Sequence, residues 1–251
     1  MNLNKKTILI TGASSGIGSG LARAFAQEKC NLILLARRKN LLDELADSLK
    51  DSGSSILTLK CDVTNKDEVK QCIDEALKHF GIIDIAVLNS GIGKSVKIQN
   101  LNSEDAENIF DVNVLGVIKC IELLIPGFIK NKKGTIVGVS SLAEARGFAN
   151  NGFYCASKAA LSIFLESIRV ELKKYGVNVI TVKPGFVRTP MTDKNNFKMP
   201  FLMDLDKAVK IIVNGIKKEK RIIQFPMPTV IGAKILKILP DRIYEYISQK
   251  R

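Results

Sequence analysis

Apolar, mostly β-branched runs recur seven times along the chain, at 7–11, 31–36, 55–60, 84–89, 135–140, 177–182 and 221–225. Within each run the apolar residues are near-continuous rather than alternating with polar ones, as in Ile8-Leu9-Ile10 and Leu32-Ile33-Leu34-Leu35. A strand of that kind is buried on both faces, which points to a parallel sheet covered by helices on each side. Between the runs the apolar spacing changes to the helical period, predicting helices at 18–29, 39–51, 66–80, 103–130, 152–175 and 204–218. Strands and helices that alternate this regularly imply an α/β fold, a doubly wound parallel sheet of about seven strands with helices on both faces. No linker or internal repeat interrupts the pattern. The reading is one domain over 1–251, with a core at 1–225 and an amphipathic C-terminal extension at 226–251.

In such a sheet the ligand sits beyond the carboxyl ends of the strands. The first run breaks into Thr11-Gly12-Ala13-Ser14-Ser15-Gly16-Ile17-Gly18 and restarts as an apolar-periodic stretch from Leu21 to Phe25. A strand ending in glycines at a helix start aims backbone N–H groups, and the positive end of the helix dipole, at an anion; a nucleotide pyrophosphate is the natural guest. One glycine serves the tight turn, one lets a phosphate approach, and one lets helix and strand pack closely. A Gly/Ser turn that binds nothing has the same composition, so the other strand ends decide. The second run ends in Ala36-Arg37-Arg38, the third in Cys61-Asp62-Val63 and the fourth in Asn89-Ser90-Gly91. The fifth ends in Val139-Ser140-Ser141 and the sixth in Val182-Lys183-Pro184-Gly185, with Tyr154-Cys155-Ala156-Ser157-Lys158 between them. This is the layout of a Rossmann-type domain with polar chemistry along one edge.

Composition narrows the partners. The net charge of +13 is large, but the lysines are spread along the chain, without aromatic interleaving or a helix-turn-helix pattern, so nucleic acid is not expected. A solvated basic surface is the plain explanation. Attraction to a phosphorylated cofactor, an acidic carrier protein or anionic lipid is the alternative. Five cysteines are scattered without CxxC spacing and read as reduced, mostly buried thiols of a cytoplasmic protein. His79 is the only histidine, and it lies in the helix-end pattern Lys78-His79-Phe80-Gly81. Neither a metal site nor a histidine-based triad is expected. The first strand begins by Thr7, so a leader is not expected, and no uncharged apolar run approaches the roughly 18 residues that span a bilayer.

Taken in order, these strand ends resemble the short-chain dehydrogenase/reductase family from residue 6 to about residue 225. The family's TGxxxGxG is present from Thr11 to Gly18, and its Asn-Asn-Ala-Gly element is partly kept as Leu88-Asn89-Ser90-Gly91. Its catalytic asparagine matches Asn113, its serine matches Ser141 rather than Ser140 by distance to the tyrosine, and its YxxxK matches Tyr154 and Lys158. Pro184-Gly185 with Thr189 matches the segment that closes over the nicotinamide. A second Tyr-xxx-Lys pair, Tyr246 and Lys250, follows no strand and lacks an upstream serine, so it reads as a coincidence of a lysine-rich chain. The resemblance implies an oxidoreductase with catalytic residues Asn113, Ser141, Tyr154 and Lys158. It also implies nucleotide contacts at Gly12, Ser14, Ser15, Gly16, Ile17, Gly18, Asp62, Val63, Asn89, Gly91, Pro184, Gly185, Val187 and Thr189, and again at Tyr154 and Lys158.

The residue types suit that chemistry. A free tyrosine titrates near 10, and Lys158, one helical turn beyond Tyr154 on the same face, is expected to lower that value. Tyr154 would donate a proton to a carbonyl oxygen while Ser141 holds that oxygen. By the resemblance, Lys158 also bonds the nicotinamide ribose, and Asn113 keeps a water behind it. NAD-specific relatives usually carry an acidic residue at the end of strand two; this chain has Arg37 and Arg38 there, which suit a 2′-phosphate. NADP(H) is therefore favoured over NAD(H), with Arg37 ahead of Arg38, and Asp62 and Val63 are expected at the adenine.

The loop from Val187 to Met203 carries Met191, Phe197, Met199, Phe201 and Met203, and covers a hydrophobic carbonyl or alcohol substrate or else packs on itself. Residues 142–151 form the opposite wall. In the tail, Val230, Ile231, Ile235, Leu236, Ile238 and Leu239 interleave with Lys234 and Lys237 before Pro240, and Ile243, Tyr244 and Ile247 follow. Packing against protein is the preferred reading of this tail, with peripheral contact to an anionic membrane the alternative. The expected protein is a cytoplasmic homodimer or homotetramer, with membrane association the alternative, that reduces a hydrophobic ketone or 3-oxoacyl substrate. The alternatives are alcohol oxidation at the same site and a low-turnover cofactor-binding sensor or scaffold.

Overall fold

The structure, a computed structural model, describes residues 1–249. Its centre is a seven-stranded, all-parallel sheet in the order β3-β2-β1-β4-β5-β6-β7. The strands are β1 (Thr7–Thr11), β2 (Asn31–Ala36), β3 (Ile56–Lys60), β4 (Ile85–Leu88), β5 (Gly134–Val139), β6 (Val177–Pro184) and β7 (Ile222–Phe225). The order reverses between β1 and β4, which opens the crevice expected at the carboxyl edge of a doubly wound sheet. Side chains alternate between two apolar layers, as the pleat requires: Ile8, Ile10, Leu32 and Leu34 face one, while Leu9, Ile33 and Leu35 face the other.

The first layer is closed by α1 (Gly16–Gln27), α2 (Lys39–Asp47) and α7 (Leu205–Lys217), through Leu21, Phe25, Leu42, Ile212 and Ile216. The second is closed by α3 (Lys66–Phe80), α5 (Gly116–Lys130) and α6 (Gly152–Leu172), through Val69, Ile73, Ile121, Leu161 and Leu165. All five cysteines are free and buried. His79 is exposed at the end of α3 and meets Phe80 edge-on, with ring centroids 4.5 Å apart.

The helix predicted at 103–130 is not one regular helix. It consists of α4 (Ser103–Phe110), a π-helical turn at Asp111–Leu115, and α5. In the turn the Gly116 N–H reaches back to the Asp111 carbonyl, one residue further than in an α-helix. That extra residue rotates Asn113 into the interior, where it is fully buried. By length and hydropathy this run also passes as a membrane span, yet half of its apolar window is buried in the protein, with Cys120, Ile121, Leu124 and Phe128 in the core.

The tail forms α8 (Met227–Ile238) and α9 (Asp241–Gln249), separated at Leu239-Pro240. Helix α8 packs on the short 3-10 turn Leu142–Ala145 that follows β5. Arg146 fastens the junction: its guanidinium donates to the Leu239 carbonyl (2.9 Å) and to Asp241 (3.1 Å), and lies 4.4 Å over the Tyr244 ring. The Tyr244 hydroxyl in turn donates to the Gly147 carbonyl at 2.8 Å. Lys250 of the second Tyr-xxx-Lys pair lies outside the described residues.

Helix α1 can sit against β1 only because Gly18 has no side chain. A Cβ there would stand 2.3 Å from the Gly12 carbonyl oxygen and 2.7 Å from Asn89 Nδ2. Gly18→Ala is expected to cost about 1–3 kcal/mol, lowering Tm by roughly 3–10 °C in thermal unfolding followed by circular dichroism. Gly232→Ala in α8, where a Cβ meets nothing within 4 Å, is the control and should be neutral or mildly stabilising.

Candidate active site

At the glycine loop, Gly12 and Gly16 take φ of +64° and +57°, a left-handed turn that an L side chain would strain. Ser15 is the N-cap of α1, but its hydroxyl makes no capping bond. Instead Arg38 Nη2 donates to the hydroxyls of both Ser14 and Ser15, each at 2.9 Å. The loop is braced from β4: the Asn89 amide group donates to the carbonyls of Thr11 (3.1 Å) and Gly12 (3.3 Å). The backbone N–H groups of Asn89 and Ser90 both donate to the Thr11 hydroxyl at 3.0 Å. An uncapped helix start, two left-handed glycines and an arginine beside two hydroxyls fit the pyrophosphate and phosphate groups of a dinucleotide.

The two arginines part company. Arg37, placed first in the sequence reading, turns away to Asp62 at 3.9 Å and is largely exposed, while Arg38 leans over the glycine loop. Asp62 also accepts from the Thr64 N–H (3.0 Å) and hydroxyl (2.9 Å), which fixes the turn after β3. The Val63 side chain is buried, close under Gly116, leaving its backbone to the edge. On the far side, Thr189 lies over Gly16, whose Cβ would stand 3.3 Å from the threonine methyl. The Gly185 N–H donates to the Phe225 carbonyl at 2.7 Å, pinning the Pro184-Gly185 turn to β7.

Beside this cradle the polar side chains of the ends of β4, β5 and α6 converge. Ser141 caps the 3-10 turn: its hydroxyl accepts from the Ala143 N–H at 3.1 Å and reaches the Pro184 carbonyl at 3.5 Å. Tyr154 lies in the first turn of α6, and the nearby Ser141 hydroxyl favours its ionised form. Lys158 is 3% exposed; its ammonium donates to the Val139 carbonyl at 3.0 Å and lies 5.8 Å from the Tyr154 ring centre. Asn113 accepts from the Ile92 N–H (2.8 Å) and donates to the Ile92 carbonyl (2.9 Å) and the Ser157 hydroxyl (3.0 Å). Gly91 stands between them: a Cβ on it would lie 3.2 Å from Lys158 Nζ and 3.3 Å from Asn113 Oδ1. Ser140, in contrast, points inward and touches the Lys158 carbonyl at 2.9 Å.

Burial, more than charge, sets the proton affinities. It pushes Tyr154 above its ordinary value, and the Ser141 hydroxyl offsets this only in part. Burial also pulls Lys158 down to about 8. The expectation that Lys158 would lower Tyr154 is not met in this arrangement, because the ammonium sits on the Val139 carbonyl rather than against the phenol oxygen.

Two charged residues given no role in the sequence reading pair close to Ser141. Glu144 accepts from Lys183 at 2.5 Å, from Ser140 at 3.1 Å, and through a short hydrogen bond from Ser162. This carboxylate thus joins the turn after β5, the middle of α6, and β6 just before Pro184. The Glu144–Lys183 pair is separated by 39 positions, so no local spacing announces it.

The cover segment after β6 closes on itself. Val187 bridges Met203, and Phe186 meets Phe197 edge-on at 5.9 Å. Met191, Phe197 and Phe201 remain exposed, whereas Met203 packs on the core.

An edge of this kind belongs to the oxidoreductases that work with a nicotinamide dinucleotide. The family model described as short chain dehydrogenase matches residues 6–199. The chain is 36% identical over 248 residues to an uncharacterized oxidoreductase of Myxococcus xanthus, covering 99% of this chain and 98% of that protein. It is 32% identical over 217 residues to the ketoacyl reductase HetN of a Nostoc species, covering 86% of this chain and 75% of that one. Among solved structures, a short-chain dehydrogenase/reductase of Burkholderia phymatum in complex with NAD superposes with a TM-score of 0.87 at 22% identity, covering 100% of this chain and 97% of that one. The chain belongs to the short-chain dehydrogenase family, and is an oxidoreductase with a nicotinamide-nucleotide fold.

The buried Lys158 yields a pH test. Its value in the fold lies below that of a free lysine, 10.5, so the fold favours the neutral amine; stability from this group rises with pH between about 8 and 10.5. Lys158→Met is expected to be more stable than the parent at neutral pH, by about 1–3 kcal/mol. That advantage should shrink as pH passes through the window, in denaturant unfolding of both proteins across the range. A constant difference across pH would assign the burial cost elsewhere.

Proposed function

We propose that this protein is an NADP(H)-dependent reductase of a hydrophobic ketone or 3-oxoacyl thioester. The observation that carries the reading is the gathering of Ser141, Tyr154 and the buried Lys158 and Asn113 at the edge of the glycine-loop cradle. A bound nicotinamide dinucleotide supplies the hydride. Ser141 and Tyr154 then share the substrate carbonyl oxygen, and Tyr154 delivers its proton to that oxygen as charge develops there. Lys158 holds the nicotinamide ribose and, with Asn113 behind it, returns a proton to the tyrosine. Glu144 keeps the Ser141 turn, α6 and the Pro184-Gly185 segment in register, acting as a positioning residue.

A tyrosine raised by burial keeps its proton at neutral pH, which suits donation to a carbonyl oxygen, whereas oxidation at the same site needs the tyrosinate and so higher pH. Phosphate preference rests on Arg38 with Ser14 and Ser15, with Arg37 as the second contact. The NAD in the Burkholderia neighbour accompanies an identity too low to speak for this chain's choice. For the substrate, the exposed Met191, Phe197 and Phe201 of the cover segment, together with the relative named as a ketoacyl reductase, support an acyl or cyclic hydrophobic carbonyl.

Purified protein should consume NADPH with 3-oxoacyl thioesters or hydrophobic ketones, and Tyr154→Phe should lose roughly 100-fold or more in kcat. Arg38→Asp should lower kcat/KM for NADPH by roughly tenfold to a hundredfold while leaving NADH nearly unchanged, and Arg37→Ala should cost less. Tight NADPH binding with no turnover across the panel would favour the sensor reading.

A further inference from the structure

We infer that the tail formed by α8 and α9 docks on an anionic lipid surface. Helix α8 buries only Val230 fully. The side next to it presents Met227, Ile231, Ile235 and Ile238, which are 61%, 53%, 51% and 81% exposed. These positions follow one another at steps of four, four and three residues and so form one continuous stripe along the helix. A stripe of large apolar side chains on an otherwise charged surface marks a contact with something apolar.

Charge selects the occupant. Lys234 lies on the same line, three residues after Ile231 and four before Ile238, and Lys237 flanks it; both are exposed. From residue 226 onward the sequence carries Lys234, Lys237, Arg242, Lys250 and Arg251 against Asp241 and Glu245. Of those two carboxylates, Asp241 is already engaged by Arg146. Anionic headgroups neutralise Lys234 and Lys237 while the isoleucines enter the acyl boundary. Because Arg146 fastens this tail to the turn after β5, lipid contact holds the Ser141 side of the molecule near the bilayer.

The test is flotation of the full chain with vesicles of phosphatidylcholine alone and of phosphatidylcholine with phosphatidylglycerol, alongside light scattering without lipid. Flotation with the anionic vesicles only is expected. It should be abolished in the double variant Ile235→Glu/Ile238→Glu at unchanged assembly mass, and weakened roughly tenfold or more in Lys234→Glu/Lys237→Glu. The lysine variant changes only exposed side chains and carries the test if the isoleucine variant unfolds. Absence of flotation with anionic vesicles overturns the proposal. So does equal flotation of the lysine variant. A fall in assembly mass in the isoleucine variant with flotation retained also overturns it, and would assign the stripe to a second copy.

Discussion

Burial of the parallel sheet on both faces is the constraint on which everything else rests. With apolar helices against each side, a polar side chain in the middle of a strand loses water and must find a partner inside the protein, as Thr181 does with Arg169. Polar groups are therefore driven to the carboxyl ends, where N–H groups, helix starts and turns can satisfy them. The chain's Thr11, Asn89, Ser140, Ser141 and Lys183 all sit at such ends. The site is less an addition to the fold than a place where the fold readily satisfies this chemistry.

Much of this was legible in the sequence because the signals are local. Continuous apolar runs reveal doubly buried strands, and the alternation with helical spacing gives the parallel topology. The glycine loop, and Tyr154 one turn before Lys158, need only short-range spacing to be read. The π-helical turn at Asp111–Leu115 was not legible, since apolar periodicity runs through it without a break and only tertiary packing shows that Asn113 has been turned inward. Nor was the division of labour between Arg37 and Arg38, which depends on where α2 begins relative to the end of β2. Glu144 and Lys183 carry no local signal of a partnership, which exists only after β5, α6 and β6 are assembled.

The proton affinities illustrate the same division between near and far information. Placing Lys158 near Tyr154 in sequence suggests a charge effect, but proximity along a helix does not fix where an ammonium points. Here it satisfies the Val139 carbonyl, and desolvation dominates both groups. Dinucleotide binding brings ribose hydroxyls and a phosphate chain to the same edge, so the electrostatic state of the pair belongs to the holoenzyme as much as to the apoprotein.

Arg146 gives the tail a meaning beyond decoration. Its guanidinium grips the Leu239 carbonyl, Asp241 and the face of Tyr244, while the Tyr244 hydroxyl returns to Gly147 one residue along. The loop between β5 and α6 and the end of the chain therefore form a closed mechanical circuit. Catalytic geometry near the middle of the sequence is thereby supported from its terminus, and sequence drift in the last residues is constrained by a loop about a hundred positions upstream.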